Sequence, residues 1–177
     1  ILRDPYQNGK SYCGNLDITD NGELQNLSEL NSTEGVVACH LYVEESQIYA
    51  VNYLSGNVIK LPEGKVVAHK GKGVNLPRQD SPHTHFVTAT PDKNYICVVD
   101  LGLDKIFIYD KNLNLINTAS VPLGYGCRHL AFNEKGDFCY CVNELKSSVT
   151  VFSVNGSDFK VLNTFPALPN DFTEKNT

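Results

Sequence analysis

A segment of about 44 residues recurs three times in this chain, and no other feature narrows its fold as much. The copies are CHLYVEESQIYAVNYLSGNVIKL (39–61), THFVTATPDKNYICVVDLGLDKIFIYD (84–110) and RHLAFNEKGDFCYCVNELKSSVTVFSV (128–154). Aligned on His40, His85 and His129, they are spaced by 45 and then 44 residues. Each copy reads as strand, polar turn, strand ending in Val-Asn or Val-Asp, polar turn, strand, with the period-2 patterning of a pleated surface. A more variable fourth strand follows each: KVVAHKG, LNLINTASVPL and FKVLNTFPALP. Four antiparallel strands in a unit of this length form the blade of a β-propeller.

The fold class predicted is therefore all-β, a propeller of four-stranded antiparallel blades without a helix. The whole chain, 1–177, is expected to form one partial propeller domain. Blades are expected at 35–75, 82–124 and 126–171, with 12–33 as the last two strands of an earlier blade and FTEKNT (172–177) leading into a further one. A closed ring needs at least about four blades, and an open arc leaves unpaired edges that pair or aggregate. The sequence also contains no methionine. We expect a piece of a longer product whose remaining blades come from the rest of that product or from another chain.

Composition removes several function classes. Fifteen basic residues stand against 20 acidic ones, for a net charge of −5, and the nearest approach to a basic run is HKGK (69–72). Nucleic acid and anionic membrane are not expected partners. No apolar run reaches the roughly 18–20 residues that span a bilayer, and ILRDPYQNGK lacks the order of a signal peptide. The six cysteines form no CxxC pair and no zinc set, and five lie in or beside apolar strands. They read as core thiols of a reducing compartment, and a cytoplasmic location is expected. The sequons at Asn26, Asn31 and Asn155 are read as chance in an Asn-rich chain.

The third copy differs from its sisters in charge. Within GCRHLAFNEKGDFCYCVNELKSS (126–148), Arg128 opens the inner hairpin and Glu144 closes it, with Gly136 midway between them in the turn. Aligned on the Val-Asn/Asp pairs, Glu144 falls against Leu101 and Tyr53; aligned on the histidines, Arg128 falls against Thr84 and Cys39, so the repeat itself requires no charge at either place. An ion pair and a functional site both remain open on these grounds. Asn52, Asp100 and Asn143 recur in every copy and suit strand ends that need backbone groups satisfied. His85 starts the second copy's inner strand and is preceded by Pro82 and His83. Arg128 precedes its histidine by one residue, so a bulge or a strand end must reconcile its direction with that of His85. His69 reads as a surface residue.

These stretches, ACHLYVEESQIYAVNYLSGNV, RQDSPHTHFVTATPDKNYICVVDLGLDKIFIYD and GCRHLAFNEKGDFCYCVNELKSSV, resemble the seven-bladed propeller lactonase family, over residues 11–177 and in the family's order. That family includes propeller-type 6-phosphogluconolactonases and fungal carboxy-muconate lactonizing enzymes. The resemblance implies about half of a seven-bladed ring and a site at the channel mouth built from a histidine, two arginines and a glutamate. His85 matches the second histidine of P-H-x-H, Arg128 the arginine of G-P-R-H (with Cys127 in place of proline), and Glu144 the glutamate of V-N-E-L. The family's second arginine falls in the next blade, beyond Thr177.

The function expected from the resemblance is hydrolysis of a small-molecule sugar lactone, 6-phosphogluconolactone first, with His85, Arg128 and Glu144 catalytic and no cofactor or metal. His83, Asp100 and Asn143 on the same rim are expected to bind substrate. Hydrolysis needs an activated water, a stabilised oxyanion and a proton for the leaving alkoxide. Either Glu144 or His85 suits the base, and Arg128 suits an anion. The same groups suit lactonization of a muconate-type acid, and a non-enzymatic propeller scaffold is the third reading. No G-x-S-x-G motif points to a covalent serine route.

Overall fold

A computed structural model describes residues 1 and 8–173. The segment 174–177, most of the lead-in expected at 172–177, lies outside the described residues. Four short strands come first: β1 (Tyr12–Cys13), β2 (Asp17–Ile18), β3 (Leu24–Gln25) and β4 (Asn31–Ser32). β1 pairs with β4, and β2–β3 is a small separate hairpin between them.

Three four-stranded antiparallel sheets follow in chain order. The first comprises β5 (Ala38–Glu44), β6 (Gln47–Asn52), β7 (Asn57–Leu61) and β8 (Lys65–Ala68). The second comprises β9 (Thr84–Ala89), β10 (Ile96–Asp100), β11 (Lys105–Tyr109) and β12 (Leu115–Ser120). The third comprises β13 (Cys127–Phe132), β14 (Phe138–Asn143), β15 (Ser148–Asn155) and β16 (Asp158–Pro166). A short 3₁₀ turn at Leu101–Leu103 is the only helical element among the described residues.

The sheets pack face to face, which explains why β10 (ICVVD) has no polar face. Ile96 and Val98 point to the first sheet and join Tyr49, Val51, Val58 and Val87. Cys97 and Val99 point to the third and join Leu130, Cys139, Cys141 and Phe152. All five β10 residues are buried. In β14, Cys139 and Cys141 face this core, whereas Phe138, Tyr140 and Val142 are 38–47% exposed on the far face. The third sheet thus presents an uncovered apolar surface on the side where a ring neighbour would pack. None of the six cysteines forms a disulfide, and five of them are buried.

β9 lies between β5 and β13 at the inner edge. Here the register departs from the histidine alignment. Ala38 pairs with Asn52 but His40 with Val51; Thr84 pairs with Asp100 but Phe86 with Val99; Cys127 pairs with Asn143 but His129 with Val142. Every inner strand has one extra residue at its start, and those residues are Cys39, His85 and Arg128. The structural equivalent of His40 and His129 is therefore Phe86, and Arg128 aligns with His85 rather than with Thr84. The three rings confirm this grouping: Phe86 lies 4.3 Å from His40 and 4.8 Å from His129 between centroids.

The strand-end polar residues hold the blades together. The fully buried Asp100 accepts from the backbone N–H groups of His83 and Leu103 through Oδ1, and from His69 Nδ1 through Oδ2 at 2.6 Å. His69, read from sequence as a surface residue, is instead buried, stacked on Phe107 and in hydrogen-bond contact with the Tyr109 hydroxyl. A polar residue in a short loop segment looks exposed until its buried partners are known. Replacing Asp100 with Ala strands these donors without water, at an expected cost of about 3–5 kcal/mol. A lowered urea midpoint at unchanged m-value is the expected result.

Candidate active site

A β-bulge sets two residues of one strand against one of its partner and turns the extra side chain out of the strand's alternation. The three bulge residues, Cys39, His85 and Arg128, all line one cavity of about 530 Å³. The same backbone bond braces each bulge. The residue just past the second strand donates its N–H to a carbonyl ahead of the bulge: Tyr53 to Val37, Leu101 to His83, Glu144 to Gly126, at 2.8–2.9 Å. This fixes a second ring of equivalent positions, of which Tyr53 and Glu144 line the cavity while Leu101 is fully buried. Two repeat positions per blade thus generate most of the site.

Glu144 is the electrostatic centre. Its Oε2 accepts from Arg128 Nε at 2.9 Å, which answers the sequence question about the two hairpin charges: they are an ion pair, and the pair lies in the cavity wall. Its Oε1 accepts from Arg78 Nη2. Arg78 also interacts with Tyr53, and its charged form is stabilised first by Glu144 and then by Tyr53. Sequence reasoning missed Arg78 because it stands in the 69–83 loop, outside the repeat. One signal was available: the chain has three arginines among its 15 basic residues, Arg3 lies outside the described residues, and the other two meet on one carboxylate.

His85 is half-buried, with its ring edge-on to Tyr53 at 5.7 Å and 5.3 Å from the His129 ring. Burial first, and the Arg128 charge second, push its pKa down to about 4. At neutral pH the imidazole is uncharged and keeps a lone pair. His129 and His40 are likewise shifted down, chiefly by burial.

The structure brings together His85, Arg128 and Glu144 and does not bring the other three predicted residues into the cavity. His83 is buried beneath Tyr53, stacked at 4.4 Å, and its Nδ1 donates to the Tyr53 carbonyl. Asp100 is occupied as described above. Asn143 is fully buried, and its Nδ2 donates to Ser148 and Thr150, although its Oδ1 has no partner among the described residues. None of the three lines the cavity; Asp100 and Asn143 are equivalent strand-end residues that serve blade closure, and His83 props the Tyr53 loop. Among the described residues no group of three or more His, Cys, Asp or Glu side chains could hold a metal ion, and no helix is long and apolar enough to cross a membrane.

Residues 8–177 match the sequence profile of a family described as lactonase, seven-bladed β-propeller. The chain is 34% identical over 173 residues to the 6-phosphogluconolactonase of Bacillus subtilis, an alignment covering 89% of this chain and 49% of that protein. Among solved structures it resembles the periplasmic gluconolactonase of Pseudomonas aeruginosa (TM-score 0.77, 26% identity, 93% of this chain and 51% of that one). It also shares its fold with a Lactobacillus plantarum protein (TM-score 0.83, 24% identity, 95% of this chain and 53% of that one). The chain spans about half the length of the curated relatives it matches.

The unfolded chain takes up a proton near pH 6.5 that folded His85 refuses until about pH 4. The His85 contribution to stability is therefore present above pH 6.5 and lost as pH falls toward 4. A ring-proton NMR titration should find His85 neutral through pH 5, with Arg128→Ala moving its midpoint upward.

Proposed function

The chain belongs to the seven-bladed β-propeller lactonase family, and from that premise we propose that the protein hydrolyses a sugar lactone carrying an anionic group, with 6-phosphogluconolactone as the foremost candidate. The observation that carries this reading is the pairing of one carboxylate with two guanidinium groups beside a neutral histidine. Each arginine spends one edge on Glu144. Arg78 also reaches Tyr53 and Arg128 Nη1 lies 3.5 Å from His129 Nε2, yet both line a cavity where two guanidinium groups outweigh one carboxylate, and this suits a phosphate or carboxylate.

Both Glu144 oxygens accept from an arginine, so His85 is assigned as the base. Water attacks the lactone carbonyl carbon while His85 takes its proton. The developing oxyanion is met by Arg128, the arginine whose charge reaches His85. The tetrahedral intermediate then collapses, the ring C–O bond breaks, and the imidazolium returns the proton to the leaving alkoxide. The product is the open-chain hydroxy acid, and no covalent enzyme intermediate or cofactor is needed. Arg78 holds the substrate's remote anion. Glu144 fixes the two guanidinium groups at a set separation and acts as their shared anchor. Placement in the cytoplasm belongs to the same proposal and is supported by six cysteines that form no disulfide.

Assay of the full-length protein with 6-phosphogluconolactone tests this directly. Arg128→Ala and Glu144→Gln are each expected to lower kcat/KM by about 100-fold or more. Unchanged turnover in both variants would contradict the assignment, and loss of ultraviolet absorbance from a muconate instead would point to the lactonizing reaction.

A further inference from the structure

Arg78 and Arg128 come from different blades and from unlike elements, a loop and a strand bulge, yet both converge on one carboxylate. Long cationic side chains do not hold such a geometry without support, because each gives up substantial rotamer freedom. The support is visible one layer below the cavity. Asp104, 1% exposed, accepts three N–H groups: Gln79 Nε2 at 2.8 Å and Gly126 N at 2.6 Å on Oδ1, and Gly124 N at 2.6 Å on Oδ2. The side chain of Gln79, fully buried and adjacent to Arg78, also donates to the Leu101 carbonyl and accepts from Asn75 N.

The opposite arm starts at Gly126. Its N–H binds Asp104, and its carbonyl takes the N–H of Glu144. It sits two residues before Arg128, at a φ of 65°, where an added Cβ would lie 2.5 Å from Leu145 Cγ. One buried carboxylate therefore touches both the residue that displays Arg78 and the residue that sets the backbone of Arg128 and Glu144. Its three donors are all neutral N–H groups.

We propose that Asp104 is a positioning residue that, through Gln79 and Gly126, sets the spacing of the Arg78–Glu144–Arg128 clamp. The clamp in turn selects an anionic ligand, and this last step rests on the functional reading above. Asp104 touches no ligand itself. A merely structural Asp104–Gln79 contact would add stability without regard to Arg78, whereas a positioning contact acts through Arg78 and disappears with it.

The experiment is a double-mutant cycle in the full-length protein. Gln79→Met removes the polar tether at nearly constant volume, and Arg78→Ala removes the group it places. Should Gln79→Met not fold, Gln79→Asn withdraws the amide from Asp104 while staying polar. The crystal structure of the Gln79 variant is expected to show Arg78 off Glu144 with Arg128 still on it; Arg78 retained on Glu144 overturns the proposal. Calorimetric binding of 6-phosphogluconate is expected to weaken by about fivefold or more when Gln79 is replaced in the presence of Arg78, and by less than about twofold in the Arg78→Ala background. Equal weakening in both backgrounds also overturns it. A wild-type protein that ignores 6-phosphogluconate contradicts the substrate reading, and the crystal structure then decides the tether alone.

Discussion

Where each inner strand begins, one residue too many faces the strand beside it, and the chain absorbs the excess as a bulge. The site depends on this backbone irregularity. Strict alternation would place neighbouring residues on opposite faces. The bulge instead directs Cys39, His85 and Arg128 from three successive blades toward one mouth, and the N–H→O bond that closes each bulge fixes the next position as well. Function is then a matter of which side chains occupy two equivalent places per blade. The first blade supplies Cys39 and Tyr53, the second His85 and an inward Leu101, the third Arg128 and Glu144.

Charge and burial complete the arrangement. Glu144 between two guanidinium groups is a partly exposed network that adds little stability; in the proposed function it holds two cations in register for an anion. His85, pressed toward neutrality by burial and by Arg128, keeps a lone pair at neutral pH. Beneath them lie the buried carboxylates Asp100 and Asp104, each taking several N–H groups. Such groups are costly to bury unless satisfied, and both are satisfied by backbone and side chains that lead directly to site residues.

Much of this was legible in the amino-acid sequence. The blades were readable because strand alternation and the Val-Asn/Asp strand ends repeat, and Arg128 and Glu144 stood out because their sister positions are uncharged. The finer register was not readable. Alignment on histidines paired His85 with His40 and His129, because Phe86 occupies their place and a bulge cannot be distinguished from a one-residue offset in a single chain. Arg78 escaped notice because loop residues carry no periodicity. His69 was misread as a surface residue, and His83, Asp100 and Asn143, read as site residues, lie outside the cavity; polar side chains look like surface or site residues until the buried groups they satisfy are known.

In the proposed function, bulge-directed side chains from successive blades form one anion-selective hydrolytic mouth. A crystal structure of the full-length protein with 6-phosphogluconate bound tests it most directly. The account predicts the product carboxylate against Arg128 and His85, with the phosphate on Arg78. A ligand bound elsewhere, or one that leaves both arginines uncontacted, would contradict it.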